Sequence, residues 1–410
     1  MTVLRLTTAV VLALAASMPA RAQTTDDFFN PDVLQRVELW MNEADWAKLK
    51  ANFQENTYYP ADFLWNGQTV RNVGIRSRGL GSRSATKPGL RVDIDRYSTQ
   101  QEFLGLKSFV LDNLTQDHSG IKETATMRFF TRLGIPAPRE THTRLYVNGR
   151  YAGLYGLVES VDKTMMGRVF GSIGDDIQND GYLFEYNYIL DRPWRFEYLG
   201  SGLTPYQEYF DIKTNESHTD EQIWRPIEEL VRLVNQSSSG DFEPNVAPRL
   251  DLPAFVRYIA AQNFVANHDG FNGYAGMNNF YFYRLEDSTQ HVFVAWDEDN
   301  AFLTHEYPID TRLNDNVLSR RTLEIAAYSQ QYLSVLNEAA SSAEGWLRQE
   351  MQRQFEMIST AMQEDTQKPY SNAEYAAERD RLLAFPEARI TYVRCEVARE
   401  SGAALPSNCD

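Results

Sequence analysis

Short alternating runs of hydrophobic and polar residues dominate the first part of the chain, and helical spacing takes over in the last part. LQRVELWMNEADWAKLK, residues 34–50, reads as a strand that passes into an amphipathic turn of helix. Residues 58–73 read as a hairpin with Asn66-Gly67 at its turn. The stretch VGIRSRGLGSRSATKPGLRVDID follows as two alternating strands around a loop rich in glycine and serine. SGIKETATMRFFTRL, residues 119–133, has the period of a helix, with Ser119 as its cap and Gly134-Ile135-Pro136 as its stop. Strands at 141–147 and 151–158 flank Asn148-Gly149, a strong hairpin signal, and residues 159–162 leave as a polar connector.

The N-terminal half therefore runs strand, strand, helix, strand, strand, connector, an order shared by kinase-type nucleotide lobes and by generic α+β domains. Residues 171–180 read as a loop, and GYLFEYNY returns to strand. Residues 191–209 are aromatic and irregular, as a lid or a substrate-facing insertion would be. A short amphipathic helix is expected at 226–235 with Pro226 in its first turn, and Ser237-Ser238-Ser239-Gly240 reads as a surface linker. Asp251 opens the helix LPAFVRYIAAQNFVA, which delivers the chain to Asp269. Amphipathic helices are expected again over 331–362 and 374–397. The fold class is α+β.

Composition narrows the address. Arg5, the apolar run VVLALAA and Ala20-Arg21-Ala22 have the order of an export signal cleaved near Ala22, so the expected product is secreted or periplasmic. That apolar run is short for a bilayer span, and no second hydrophobic segment would anchor the chain. Removing residues 1–22 takes away Arg5 and Arg21 and no acid, so the formal charge of −16 becomes −18. Such a surface repels phosphate backbones and argues against a nucleic-acid partner. The two cysteines, Cys395 and Cys409, are expected to close a disulfide around the C-terminal tail in an oxidising compartment.

The candidate chemistry lies in NFVANHDGFNGYAGMNNFYFYRLEDSTQHVFVAWDEDNAF, from Asn263 to Phe302. Asp269 ends a helical run, Asn278-Asn279 open a strand, and Asp297 and Asp299 follow the next one, behind Trp296. These are oxygen ligands at strand and loop ends, as a hard cation needs. On an extended chain Asp297 and Asp299 would face the same side and Trp296 the other, toward the core or a base. Upstream, Arg76, Arg78, Arg83, Lys87 and Arg91 place five cations in sixteen residues around Gly79, Gly81, Ser82 and Ser84. Small residues let backbone amides approach an anion closely, although the stretch is neither a Walker sequence nor G-x-G-x-x-G. A basic, solvated hairpin is the other reading. Phosphoryl transfer needs a base near the acceptor hydroxyl, oxygen ligands for magnesium and cations on the donor phosphates, and the chain offers each in a separate place. Glu123, in the first turn of its helix, serves the helix dipole or reaches a cation on the neighbouring sheet.

Taken together, IRSRGLGSRSATKPGLRVDI, LDNLTQDHSGIKETATMRFFTRLGIPAP, LYVNGRYAGLYGLVESVD, NHDGFNGYAGMNNFYFYR and VAWDEDNAF resemble, in order and over roughly residues 35–310, the spore-coat protein H (CotH) kinase family of atypical secreted protein kinases. The resemblance implies a divergent two-lobed kinase-like fold with a helical C-terminal region. It divides the chain into a leader (1–22), a nucleotide-binding lobe (23–165), a catalytic lobe (166–400) and a tail (401–410). It implies ATP with Mg²⁺ or Mn²⁺ and transfer to Ser or Thr of a partner protein. By that likeness Asp269 matches the catalytic-loop aspartate, and Asp297 and Asp299 the metal-binding acids, with Asp297 the principal one and Asn279 a further metal ligand. Lys87, or Arg91 on the next strand, would contact phosphate with Arg78. Glu159 would lie near the adenine connector, and Glu123 and Trp296 complete the nucleotide site. The interval from Asp269 to Asn279, ten residues, departs from the four-residue gap of ordinary protein kinases. Two other readings stand beside this one: an inactive surface or assembly protein, and a kinase for a saccharide or other small hydroxyl compound, suggested by the aromatic residues at 194–209.

Overall fold

The structure, a computed structural model, describes residues 22–173, 176–177 and 179–409. The leader expected at residues 1–22 lies, but for Ala22, outside the described residues. Helix α1 (Thr25–Phe28) leads into strand β1 (Gln35–Met41), helix α2 (Glu43–Ala51), strands β2 (Tyr59–Trp65), β3 (Gln68–Arg78), β4 (Gly89–Asp93) and β5 (Ser108–Asp112), helix α3 (Lys122–Arg132), and strands β6 (Glu140–Val147) and β7 (Arg150–Glu159). These strands close a barrel in the order β1-β2-β3-β4-β5-β7-β6. The β1–β6 pair is parallel and the other neighbours antiparallel. Alternate residues fill its interior: Val37 and Leu39, Phe63 and Trp65, Val73 and Ile75, Leu90 and Val92, Phe109 and Leu111, Tyr155 and Leu157.

The stretch ahead of β1 is part of this core. Thr24 and Asp27 form a reciprocal capping box that fixes a single helical turn. That turn sets Phe28 among Phe63, Trp65, Phe103 and Phe109, with ring centroids 5.1–6.1 Å apart. The helix expected at 119–133 begins at Lys122 instead. Asp117, not Ser119, supplies the carboxylate that accepts from the Lys122 amide, at 2.8 Å, while the Ser119 hydroxyl bonds back to Asp117.

Beyond the barrel come α4 (Lys163–Phe170), the paired two-residue strands β8 (Ser172–Ile173) and β9 (Asp176–Ile177), β10 (Tyr182–Tyr186), α5 (Thr204–Tyr209), β11 (Phe210–Ile212), α6 (Asp220–Gln236), α7 (Phe242–Val246), α8 (Leu252–Phe264), β12 (Phe280–Arg284) and β13 (His291–Ala295). Four helices follow, α9 (Val317–Leu323), α10 (Ala326–Ala343), α11 (Trp346–Glu364) and α12 (Asn372–Ser401). The fold thus mixes helix and sheet. Strands β11-β10-β12-β13 form a second, antiparallel sheet. One face, with Phe184, Phe280, Phe282 and Phe293, covers the large helical core. The other, with Leu183, Tyr281, Tyr283, Val292 and Val294, meets Val110 and Val158 on the outside of the barrel.

Two expectations change here for identifiable reasons. Residues 191–209 are not a lid, because Trp194, Phe196, Tyr206 and Tyr209 are buried in the helical core and Trp194 stacks on Phe196 at 5.3 Å. Helix α6 starts upstream of Pro226, on a Thr219–Gln222 capping box, so the proline sits inside it. The carbonyl that Pro226 leaves without its helical partner, that of Gln222, accepts instead from Arg284 Nη2 at 2.9 Å. At the end of the chain Cys395 is disulfide-bonded to Cys409, which ties the tail back to α12. Among the described residues no helix is long and apolar enough to cross a membrane.

Because Phe28 is the ring that fills the barrel, Phe28→Ala is expected to cost about 3–5 kcal/mol of stability. Urea unfolding followed by tryptophan fluorescence checks it; a loss within 1 kcal/mol would mean that the first helical turn is dispensable.

Candidate active site

Helix α8 ends inside the core, and its last carbonyls are satisfied from an unexpected direction. Arg389, on α12 and fully buried, donates to the carbonyls of Asn263 (2.5 Å), Phe264 (2.9 Å), His305 (2.8 Å) and Tyr307 (2.5 Å). A cation at a helix C-terminus satisfies orphan carbonyls and complements the dipole. Burial lowers the Arg389 pKa to about 10, so the guanidinium stays charged at neutral pH. The chain leaves α8 through Ala266, at φ 55°, and reaches Asp269.

Asp269 is held by its neighbours. Its amide donates to Asn267 Oδ1 at 2.9 Å, and Asn278 Nδ2 and Asn279 Nδ2 lie 3.3 and 3.4 Å from its Oδ2. Asn279 also donates to the Asp269 carbonyl at 3.1 Å. The ten-residue interval is therefore no separation in space, because the loop between them folds back through a Gly273–Gly276 bridge. Glu298, wholly buried, joins the same network: Oε1 accepts from Gln262 on α8 and Oε2 from Asn267, each at 2.5 Å. Its sequence neighbours Asp297 and Asp299 face the other way. The local backbone is not an extended strand, as expected from alternation, but bends at Asp297 (φ 57°), a conformation that Asp and Asn tolerate better than most residues.

A cleft of about 570 Å³ lies between the barrel and the second sheet, and Asp269, Asn278, Asn279, Trp296, Asp297 and Asp299 line it. So do Arg76, Arg78 and residues 79–83 of the β3–β4 loop. Gly79, at φ 107°, is the position where the loop needs a glycine, since an added Cβ would meet the Ser82 hydroxyl at 2.5 Å. Arg78 Nη1 pairs with Asp112 Oδ2 at 3.3 Å, and its guanidinium lies 5.5 Å from the Trp296 ring centroid. Trp296 belongs to the small core between the second sheet and the barrel, packs edge-on against Tyr281, and borders the cleft.

Four expected nucleotide contacts are elsewhere. Lys87 does not line the cleft: it is buried, with Nζ 2.7 Å from Asp365 Oδ2, so it fastens the β3–β4 loop to the end of α11. Arg91 bonds Ser108 Oγ at 3.0 Å, outside the lining. Glu159 is gripped by Arg139 (2.6 Å) and Arg168 (2.5 Å), a structural clamp that leaves its carboxylate no freedom to meet a base. Glu123 sits behind the cleft and is buried beside Glu140, a residue the sequence did not single out.

Electrostatically the site holds too many acids. Burial pushes Asp297 up to about 6; Arg78 opposes the shift, and Asp112, Asp269 and Glu185 add to it. Burial and the neighbouring carboxylates hold Asp299, Glu123 and Glu140 well above the ordinary range, and burial raises Asp269 more modestly. Burial would lower Arg78, but Asp112, Asp297 and Glu123 outweigh it. One oxygen of Glu140 is buried without a partner. Among the described residues no three His, Cys, Asp or Glu side chains are arranged to hold an ion by themselves. Such a site fits Mg²⁺ or Mn²⁺ bound by one or two carboxylates and an amide oxygen, with phosphate and water completing the shell.

A family model described as CotH kinase protein matches residues 75–393. The chain belongs to this family. The match starts later and runs further than the resemblance read from the motifs, and it takes in Arg389. The inner spore coat protein H of Bacillus subtilis (strain 168) is 21% identical over 329 residues, which are 76% of this chain and 83% of that protein. Among solved structures, the HipA–HipB–operator DNA complex of Shewanella oneidensis MR-1 is similar at TM-score 0.34 and 14% identity, over 93% of this chain and 75% of that one. The Helicobacter pylori proinflammatory kinase CtkA is similar at TM-score 0.33 and 11% identity, over 76% of this chain and 95% of that one. No inference rests on structural likeness at this level.

Two outcomes are expected from these contacts. Lys87→Met strands the buried Asp365 carboxylate and should cost about 3–5 kcal/mol in urea unfolding, whereas a lysine serving only phosphate would leave the midpoint unchanged. The second concerns pH. Burial raises Glu298 to about 8 in the folded state, against an ordinary value near 4.5. The folded chain thus keeps a proton that the unfolded chain has lost, and stability falls as pH rises toward 8. His142 and His291, held neutral by burial down to about 4 and about 3, act oppositely, since stability is lost as pH falls below 6.5. Between pH 6.5 and 8 the metal-free protein should therefore lose stability, and Glu298→Gln should make that slope shallower.

Proposed function

We propose that the protein is an exported, ATP-dependent kinase that transfers the γ-phosphoryl group to Ser or Thr hydroxyls of a secreted or envelope protein. The observation that supports it best is convergence: the Gly-rich loop with Arg78 on one wall, and Asp269, Asn279, Asp297 and Asp299 on the other, border one cleft. In this reading residues 23–165 form a nucleotide-binding lobe and 166–400 a catalytic lobe of a divergent kinase-like fold, with 401–410 as a tail. The acidic surface disfavours nucleic acid, and among the described residues no helix is long and apolar enough to cross a membrane.

Asp269 accepts the proton of the acceptor hydroxyl as its oxygen bonds to the γ-phosphorus, and the bridging oxygen leaves with ADP. Asn278 and Asn279 hold that carboxylate in place. Asp297, with Asn279 and Asp299, would hold the divalent cation, which when bound neutralises charge on the donor phosphates. Arg78, fixed by Asp112 and Trp296, faces the same phosphates, and the amides of residues 79–83 approach them where side chains are small. The saccharide-kinase reading loses its motive, since the rings at 194–209 are core.

With Mg²⁺ and ATP at a hundredfold over the dissociation constant, the protein should gain roughly 2.7 kcal/mol, seen as a rise in melting temperature. Asp269→Asn should keep this rise and lose phosphate transfer from labelled ATP to a protein panel by at least about a hundredfold; Asp297→Asn should lose both. A wild-type protein that ATP and metal leave unshifted would be an assembly protein rather than an enzyme.

A further inference from the structure

The β3–β4 loop owes its shape to a residue that no role above uses. Arg78 and Gly89 pair at the end of the ladder, and the chain between them leaves the sheet. One buried side chain spans it. Asn113, just past β5 and with no exposed surface, donates from Nδ2 to the Ser82 carbonyl at 2.8 Å and to the Lys87 carbonyl at 2.9 Å. A primary amide has two N–H donors, and both are used here. Its Oδ1 accepts from the Thr115 hydroxyl at 2.9 Å and from the Thr115 amide at 3.3 Å, which fixes the way the side chain faces. The same hydroxyl lies 3.4 Å from the Ser82 carbonyl.

These bonds decide which groups the loop shows to the cleft. A trans peptide carries its C=O and the following N–H on opposite sides. With the Ser82 carbonyl turned to Asn113, the Arg83 N–H points away from it, and Ser82 and Arg83 both line the cleft. A carbonyl swung outward would set partial negative charge against an anion, whereas amides facing outward make an anion-binding concavity. At the other end Lys87 precedes Pro88, which has no N–H, so the bond to the Lys87 carbonyl closes the loop and aims no donor. Asp112, the residue before Asn113, holds Arg78 at 3.3 Å. Two consecutive residues where β5 ends thus hold the guanidinium and the loop.

We propose that Asn113 is a positioning residue for the donor phosphates: by keeping the Ser82 and Lys87 carbonyls turned inward, it presents the N–H side of the loop to the cleft. The inference rests on the nucleotide reading above and names what shapes the loop assigned to the phosphates there. Without Asn113 two carbonyls lose their donor, and the loop turns them toward water in the cleft, where the phosphates would lie.

Calorimetric titration of the purified protein with Mg²⁺ and ATP, and separately with adenosine, which lacks every phosphate, tests it. Asn113→Leu, close in shape and without donors, is expected to bind ATP about tenfold more weakly and adenosine as the wild type does. Thr115→Val should weaken ATP roughly threefold, and Thr115→Ser, which keeps the hydroxyl, should restore it. If Asn113→Leu does not fold, the two Thr115 variants decide the matter on ATP alone. Unchanged ATP affinity in the variants overturns the assignment and leaves the kinase reading intact. So does an equal loss for ATP and adenosine, which would make Asn113 a support of the whole lobe. A wild-type protein that binds no nucleotide overturns both readings.

Discussion

The structure depends on how it tolerates buried negative charge. Asp112, Glu123 and Asp297 act on one guanidinium, that of Arg78, with Glu140 and Asp299 beside these acids, and burial holds Glu123, Glu140, Asp297 and Asp299 above their ordinary pKa. Carboxylates packed this closely cannot all ionise; they keep protons or gain a cation. Burial, and the neighbouring carboxylates beside it, hold Glu123 and Glu140 well above the ordinary carboxylate range. A divalent ion and the residues that surround it would be mutually stabilising, and metal binding would release protons. Crowding of this kind favours a ligand that brings a cation with it.

Geometry at the reacting end comes from a different source, a chain of uncharged contacts. Glu298 reaches from the acidic loop to Gln262 and Asn267, and Asn267 Oδ1 fixes the Asp269 amide. The Asp269 loop and the acidic loop are thus tied together by one buried carboxyl group, that of Glu298. Arg389 acts one layer further out, since it caps the helix from which the Asp269 loop departs. This explains why the last helix cannot be a separate appendage: α12 supplies the donors that α8 lacks, and both lie in one hydrophobic core.

Much of this was legible in the sequence, and the rest was hidden for physical reasons. The acids at 269, 297 and 299 and the asparagines between them stood out because polar residues interrupt apolar runs there. The turns at Asn66-Gly67 and Asn148-Gly149 carried their own chemistry, and both asparagines adopt positive φ. Strand β5 was missed because Phe109, Val110 and Leu111 are all buried and show no alternation. Phe28 went unread, since one helical turn has no period. Lys87 and Glu159 misled because a charge in a glycine-rich or hinge-like stretch reads as ligand-facing; only their partners, Asp365 and the pair Arg139 and Arg168, reveal bracing roles. Those partners lie up to hundreds of residues away.

The choice of cation in the cleft follows from the crowding. A lysine at position 78 would be a compact, strongly hydrated charge that loses its proton readily when buried. Lys87 illustrates the tendency, since burial lowers its pKa even with Asp365 in contact. A guanidinium keeps its charge among low-dielectric walls, offers donors in one plane, and presents its face to an indole. At Arg78 each property is used: one edge meets Asp112, the face lies toward Trp296, and the loop of small residues leaves the side toward the cleft open. The lysine of this basic stretch could then be turned inward as a brace, which left the arginine at 78 as the cation fixed between the barrel and the acids.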